Sequence, residues 1–132
     1  MIKSQPSDWL KFAKDDLNVA EELISRTERY SNSICFHSQQ CVEKCLKAFI
    51  VKYEGAVERI HPLKSLWKKA AGYEKELEKF RKEINILARY YIPTRYPDAL
   101  PGSLPEGLPI KEDAEEALGF AKEIFEFTER KL

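Results

Sequence analysis

The sequence predicts an all-α protein: an up-and-down antiparallel bundle of four to five helices, with a long Pro-rich loop before the last helix. Three observations carry this expectation. Apolar residues recur at steps of three and four along most of the chain, the spacing that lines one face of an α-helix. No βαβ alternation, Gly-rich phosphate loop or internal repeat interrupts that pattern. Between the fourth and fifth periodic segments, Pro93, Pro97, Pro101, Pro105 and Pro109 fall every four residues, which forbids helix and discourages strand pairing.

The first helix is expected from about Ser7 to about Arg29. Pro6 and Ser7 mark its start, and Asp8 suits the positive end of the helix dipole. Trp9, Phe12, Ala13, Leu17, Ala20, Leu23 and Ile24 line one face, opposite Lys11, Lys14, Asp15, Asn18 and Glu22. A second helix is expected from about Ser31 to Glu54, with Ser31, Asn32 or Ser33 as its N-cap and Gly55 as its C-terminal cap. Ile34, Ser38, Cys41, Cys45 and Phe49 form a stripe that Cys35, Val42 and Leu46 widen, so this helix should be the centre of the bundle. His61-Pro62 opens a short third helix over about Leu63 to Ala71, ended by Gly72. The fourth starts near Glu74, carries Leu77, Phe80, Ile84, Leu87 and Tyr91, and stops before Pro93 because proline disfavours helical geometry in the residue preceding it. The fifth spans about Lys111 to Lys131, with Ala114, Ala117, Leu118, Ala121, Ile124, Phe125 and Thr128 facing inward.

The 132 residues suffice for one domain, residues 1–132, with its own core. Lys and Arg total 22 against 22 Asp and Glu, so the formal charge is zero and a domain-wide electrostatic grip on nucleic acid is not expected. No apolar run approaches the roughly 18 to 20 residues that span a bilayer, and the N-terminal MIKSQPSDW has no signal-type apolar core. A cytoplasmic protein without a membrane partner is expected. Cys35, Cys41 and Cys45 are odd in number and share one helix, which suits reduced thiols rather than a disulfide framework.

The chemically dense stretch is Ala88 to Asp98, ARYYIPTRYPD, where a helical pattern stops abruptly. Arg89 and Arg95 could make bidentate bonds to phosphate, and Tyr90 and Tyr96 could stack on bases. The same residues also fit a structural role, a basic side chain complementing the helix C-terminus and tyrosines completing a core or interface. His37, Cys41 and Cys45 stand at i, i+4 and i+8, but a closed zinc site needs four ligands, so core packing explains the cysteines better. No metal or cofactor is expected. Asp15, Asp16, Glu21, Glu22, Glu115 and Glu116 sit mostly on polar faces and read as solvated surface, with no legible nucleophile–base pair.

Four blocks, in order, carry a family resemblance. CFHSQQCVEKCLKAFI (Cys35 to Ile50) resembles the second-helix signature of HEPN domains, and His61-Pro62-Leu63 resembles that family's H-D-L. ARYYIPTRYPD resembles its A-R-x-Y-I-P-T-R-Y-P-D block, and EDAEEALGFAKEIFEFTERKL resembles its closing helix. The resemblance implies a helical bundle, commonly a homodimer. It also implies pairing with a minimal nucleotidyltransferase in toxin–antitoxin-like pairs. Many such domains are metal-independent ribonucleases with an R-x4-6-H motif, whose arginine grips RNA phosphate and whose histidine serves 2′-hydroxyl attack. Arg89 matches the motif arginine, whereas positions 94, 95 and 96 hold Thr94, Arg95 and Tyr96 and no histidine. Tyrosine, with an ordinary pKa of about 10, is a poor replacement base. A non-catalytic nucleotide- or RNA-binding module using Arg89, Arg95, Tyr90 and Tyr96 is therefore expected. The alternative is a ribonuclease with a divergent site.

Overall fold

The computed structural model describes residues 2–59, 62–90 and 109–132. The chain pairs β1 (Ile2–Lys3) with β2 (Ala56–Val57), two antiparallel residues each, Ile2 opposite Val57 and Lys3 opposite Ala56. Around this clasp the protein is helical: α1 (Pro6–Leu23), α2 (Thr27–Glu54), α3 (Leu63–Tyr73), α4 (Arg81–Ala88) and α5 (Lys111–Lys131). The all-α bundle is as expected. The proline-rich stretch before α5 falls, up to Leu108, outside the described residues.

α2 is the central helix. It packs most extensively against α1, then α5, then α3. Ile34, Cys35, Cys41, Val42, Cys45, Leu46, Ala48, Phe49 and Ile50 are all buried along it. Small residues let its neighbours approach: Cys41 and Cys45 on α2, and Ala114, Ala117 and Ala121 on α5. Phe127, which the sequence reading left off the inward face, is buried between the ring of Phe49 at 6.1 Å and that of Phe80 at 5.3 Å. Gly55 closes α2 at φ 79°, a left-handed geometry that glycine adopts without a Cβ clash, and its N–H donates to the Val51 carbonyl.

Four boundaries differ from expectation, each for a local reason. α1 ends at Leu23, not Arg29, and a 3-10 turn over Ile24–Arg26 reverses the chain. Thr27 donates its hydroxyl to the Ile24 carbonyl and Ser31 donates to that of Thr27, so these side chains compete with the helical ladder. α2 consequently begins at Thr27 and kinks at Tyr30 (φ −117°, ψ 21°), and Ser31 lies inside the helix instead of capping it. α3 runs through Gly72 to Tyr73, and an extended Glu74 ends it. Beyond Glu74 the chain forms a 3-10 helix, Lys75–Phe80, before α4. Three residues per turn bring Leu77 and Phe80 onto one line, so both reach the core.

One lysine is structural. Lys47 is buried on α2, its ammonium donating to the Arg59 carbonyl at 2.9 Å, 3.6 Å from the Glu43 carboxylate and 5.2 Å from the Trp9 ring. It ties the segment after β2 to both α2 and α1.

Candidate functional site

The C-terminal end of α4 positions Arg89. The last turn tightens, with Arg89 N–H donating to the Ile86 carbonyl and Tyr90 N–H to that of Leu87, both at 3.1 Å. Leu87 and Tyr90, three residues apart, point into the core, which turns Arg89 outward to solvent. Among the described residues Arg89 has no ion-pair partner. An exposed guanidinium held at its root by two buried neighbours has the hydrogen-bonding geometry to meet an anion.

Tyr90 is a correction to the sequence reading. Its ring is 2% exposed and belongs to the core, so within this chain it supports Arg89 from below and offers no face for a base. Burial pushes its hydroxyl pKa upward, the nearby Cys35, Asp113 and Glu116 add to that, and Arg89 opposes it. Arg95 and Tyr96 lie outside the described residues.

A second polar cluster joins α1 to α2, and the sequence reading missed it. Asp16, expected on the solvated face, is buried. Its Oδ1 meets His37 Nδ1 at 2.8 Å and its Oδ2 accepts from Lys44 Nζ at 2.5 Å. His37 and Lys44 keep 27% and 24% of their side chains exposed. Burial alone would raise the Asp16 pKa, but the hydrogen bonds from His37 and Lys44 and the charge of Lys44 outweigh it and hold the carboxyl below its ordinary value. The signal was present in the spacing: Asp16 stands three residues after Ala13 and four before Ala20, both on the apolar face. A carboxylate there needs a partner. With Nδ1 engaged by the carboxylate, His37 presents its Nε2 as the remaining nitrogen.

His37 thus turns to Asp16, while Cys41 and Cys45 lie in the core, where the hydrogen bond between them and burial push the Cys41 thiol up. No group of three His, Cys, Asp or Glu side chains among the described residues is placed to hold a metal ion. No helix among them is long and apolar enough to cross a membrane.

Comparison with known proteins decides the family. The model of the HEPN domain matches residues 6–131, nearly the whole chain. The protein belongs to the HEPN domain family. A Methanocaldococcus jannaschii protein named "Putative toxin MJ1304" is 35% identical over 128 residues, spanning 89% of this HEPN chain and 82% of the relative. The crystal structure of TT1696 from Thermus thermophilus superposes with a TM-score of 0.79 at 31% identity, covering 96% of this chain and 98% of that one. The structure of ST0689, described as an archaeal HEPN homologue, gives a TM-score of 0.67 at 26% identity over 97% and 98% of the two chains. In this HEPN domain Arg89 lies at the C-terminal end of α4.

Proposed function

We propose that this HEPN protein is the non-catalytic member of a toxin–antitoxin-like pair. In this reading it is a homodimer that holds RNA or a nucleotide through Arg89, Arg95 and Tyr96 and docks a minimal nucleotidyltransferase. Family membership and a relative named as a toxin fit the toxin–antitoxin-like role. The observation that carries the binding reading is Arg89: exposed, without an ion pair among the described residues, and based on the buried Leu87 and Tyr90. Such a guanidinium retains its hydrogen-bonding capacity for phosphate. The absence of histidine at 94 to 96 supports binding over cleavage, because the acid–base step lacks its usual carrier.

Calorimetric titration with ATP and with short RNAs, wild type beside Arg89→Ala, tests the ligand. Loss of at least about tenfold in affinity is expected for a charge-assisted contact of this kind. Equal affinity in the two proteins refutes the assignment of Arg89.

One observation favours a second reading, a metal-independent ribonuclease with a divergent site. His37 is an oriented, partly exposed imidazole on a buried carboxylate, the arrangement of a general base. Incubation of RNA with the protein in chelator, beside Arg89→Ala and His37→Ala, separates the two. Cleavage lost in either variant supports the enzyme; cleavage unchanged in both marks contamination.

A further inference from the structure

At the far end of α2 from Arg89 lies an aromatic pair that neither the core nor the proposed site uses. Tyr53, in the last turn of α2, and Tyr73, the last residue of α3, stack with ring centroids 4.8 Å apart and planes within 3° of parallel. Most aromatic pairs of this bundle are buried in part by the core, but these two rings remain 44% and 43% exposed. Each covers one face of the other, so what stays in water is the outer faces and edges.

The stack is held in place by its neighbours. The Tyr73 hydroxyl donates to Glu54 Oε2 at 2.6 Å, and Lys69 Nζ lies 3.1 Å from Glu54 Oε1. Glu54 thereby fixes the Tyr73 ring while Lys69 balances its charge. Lys52 Nζ stands 5.3 Å from the Tyr53 centroid, and Lys52, Lys68 and Lys69 are all exposed. The only carboxylate in these contacts is thus already paired, and the ammonium groups around the rings outnumber it. Gly72 adds a further observation: it sits in ordinary helical geometry, and a Cβ built on it meets nothing within 4 Å. Neither backbone conformation nor packing calls for glycine there, and its effect is to leave the ground next to Tyr73 without a side chain.

We propose that the Tyr53–Tyr73 stack is a platform for an unpaired base of single-stranded RNA, with Lys52 contacting a flanking phosphate. Planar aromatic rings exposed beside ammonium groups are the combination that binds single strands, since every base has a face to stack and every link a charge. An isolated apolar patch would attract protein as readily; the parallel ring geometry and the cations favour a base. The proposal rests on the reading that the ligand is RNA and adds a second contact to it. The 3-10 helix Lys75–Phe80 and α4 carry the chain away from Tyr73 to Arg89 over roughly 24 Å of helix rise. The platform and Arg89 therefore stand at opposite ends of the bundle, and a mononucleotide cannot reach both.

The test is fluorescence anisotropy with a labelled oligouridylate of about 12 nucleotides, within the length range of single-strand sites, repeated with oligothymidylate and with UMP as competitor. Tyr73→Ala should weaken oligouridylate binding by about 5- to 150-fold, the range for loss of one stacked base. Tyr73→Phe, which keeps the ring, should restore most of it. Arg89→Ala separates the two sites: binding lost in Arg89→Ala but unchanged in Tyr73→Ala overturns the platform and leaves the Arg89 reading standing, and the reverse pattern does the opposite. No binding of the oligouridylate by wild type overturns the platform outright, as does competition by UMP equal to that of the unlabelled oligouridylate, which would leave the flanking phosphate without a role; oligothymidylate should bind about as well, since the stack and the ammonium group contact no 2′-hydroxyl. Photocrosslinking of a thiouridine-containing strand to the unmodified protein gives a check free of substitutions. Adducts on Tyr53 or Tyr73 are expected, and adducts confined to other segments refute the proposal.

Discussion

Consider Asp16→Asn, which preserves the shape of the side chain and removes its charge. Both carboxylate oxygens are engaged, Oδ1 with His37 at 2.8 Å and Oδ2 with Lys44 at 2.5 Å, and the side chain keeps only 10% of its surface. Hydrogen bonds to a charged group contribute about 1.5 to 3 kcal/mol each. His37 and Lys44 are about one-quarter exposed, so water recovers part of that when the charge is removed. The amide adds an opposing term, since its NH2 faces one of the two donors. A loss of about 2 to 4 kcal/mol follows, or a fall in Tm of roughly 6 to 15 °C for a domain of this size. Urea denaturation of wild type, Asp16→Asn, Lys44→Met and the double variant measures it. The cycle should give a coupling of at least about 0.5 kcal/mol between Asp16 and Lys44. The sign of the pH effect is fixed by the depressed Asp16 pKa. Its contribution is present above the ordinary value of 3.8 and is lost as pH falls through the lower folded value. The gap between wild type and Asp16→Asn should therefore narrow as pH falls below about 4. A variant within about 0.5 kcal/mol of wild type at neutral pH, or a gap independent of acid, refutes the account of this cluster.

Three further outcomes follow from the same structure. The two helix-end glycines should respond with opposite signs: Gly55→Ala, at φ 79°, loses about 1 to 2 kcal/mol, whereas Gly72→Ala gains up to about 1 kcal/mol, both read from chemical denaturation midpoints. Lys47→Met should lose about 1 to 3 kcal/mol because the Arg59 carbonyl and Glu43 are left without their partner; proteolysis after β2 would report the loosened segment, and unchanged protection would contradict it. Arg89→Ala should leave the unfolding midpoint within about 0.5 kcal/mol of wild type, as expected of an exposed side chain without an ion pair among the described residues. A large loss there would make Arg89 a structural residue and remove the basis of the binding reading.

Much of the architecture was legible because it is periodic. α5 was placed at its observed bounds from a regular apolar repeat, and Gly55 marked the end of α2 because one residue type dominates left-handed caps. The α1–α2 junction was not legible, since Thr27 and Ser31 can cap, turn or bend a helix and only their hydrogen-bond partners distinguish these roles. The 3-10 geometry of Lys75–Phe80 was likewise hidden, because Leu77 and Phe80 fit a spacing of three in either helix type. At the site, the motif position of Arg89 could be read, but not the inward rotation of Tyr90.

The sequence by itself determined the helix class, the central position of α2 and the family, because each depends on residue order and periodic spacing along the chain. Only the tertiary structure decided which polar groups meet. Asp16 and His37 are 21 positions apart, and Asp16 and Lys44 are 28 apart, so their pairing depends on how α1 rotates against α2. Tyr53 and Tyr73 became a stack for the same reason, through the angle between the ends of α2 and α3. Short-range spacing fixes the face on which a side chain lies; helix packing fixes what that face meets.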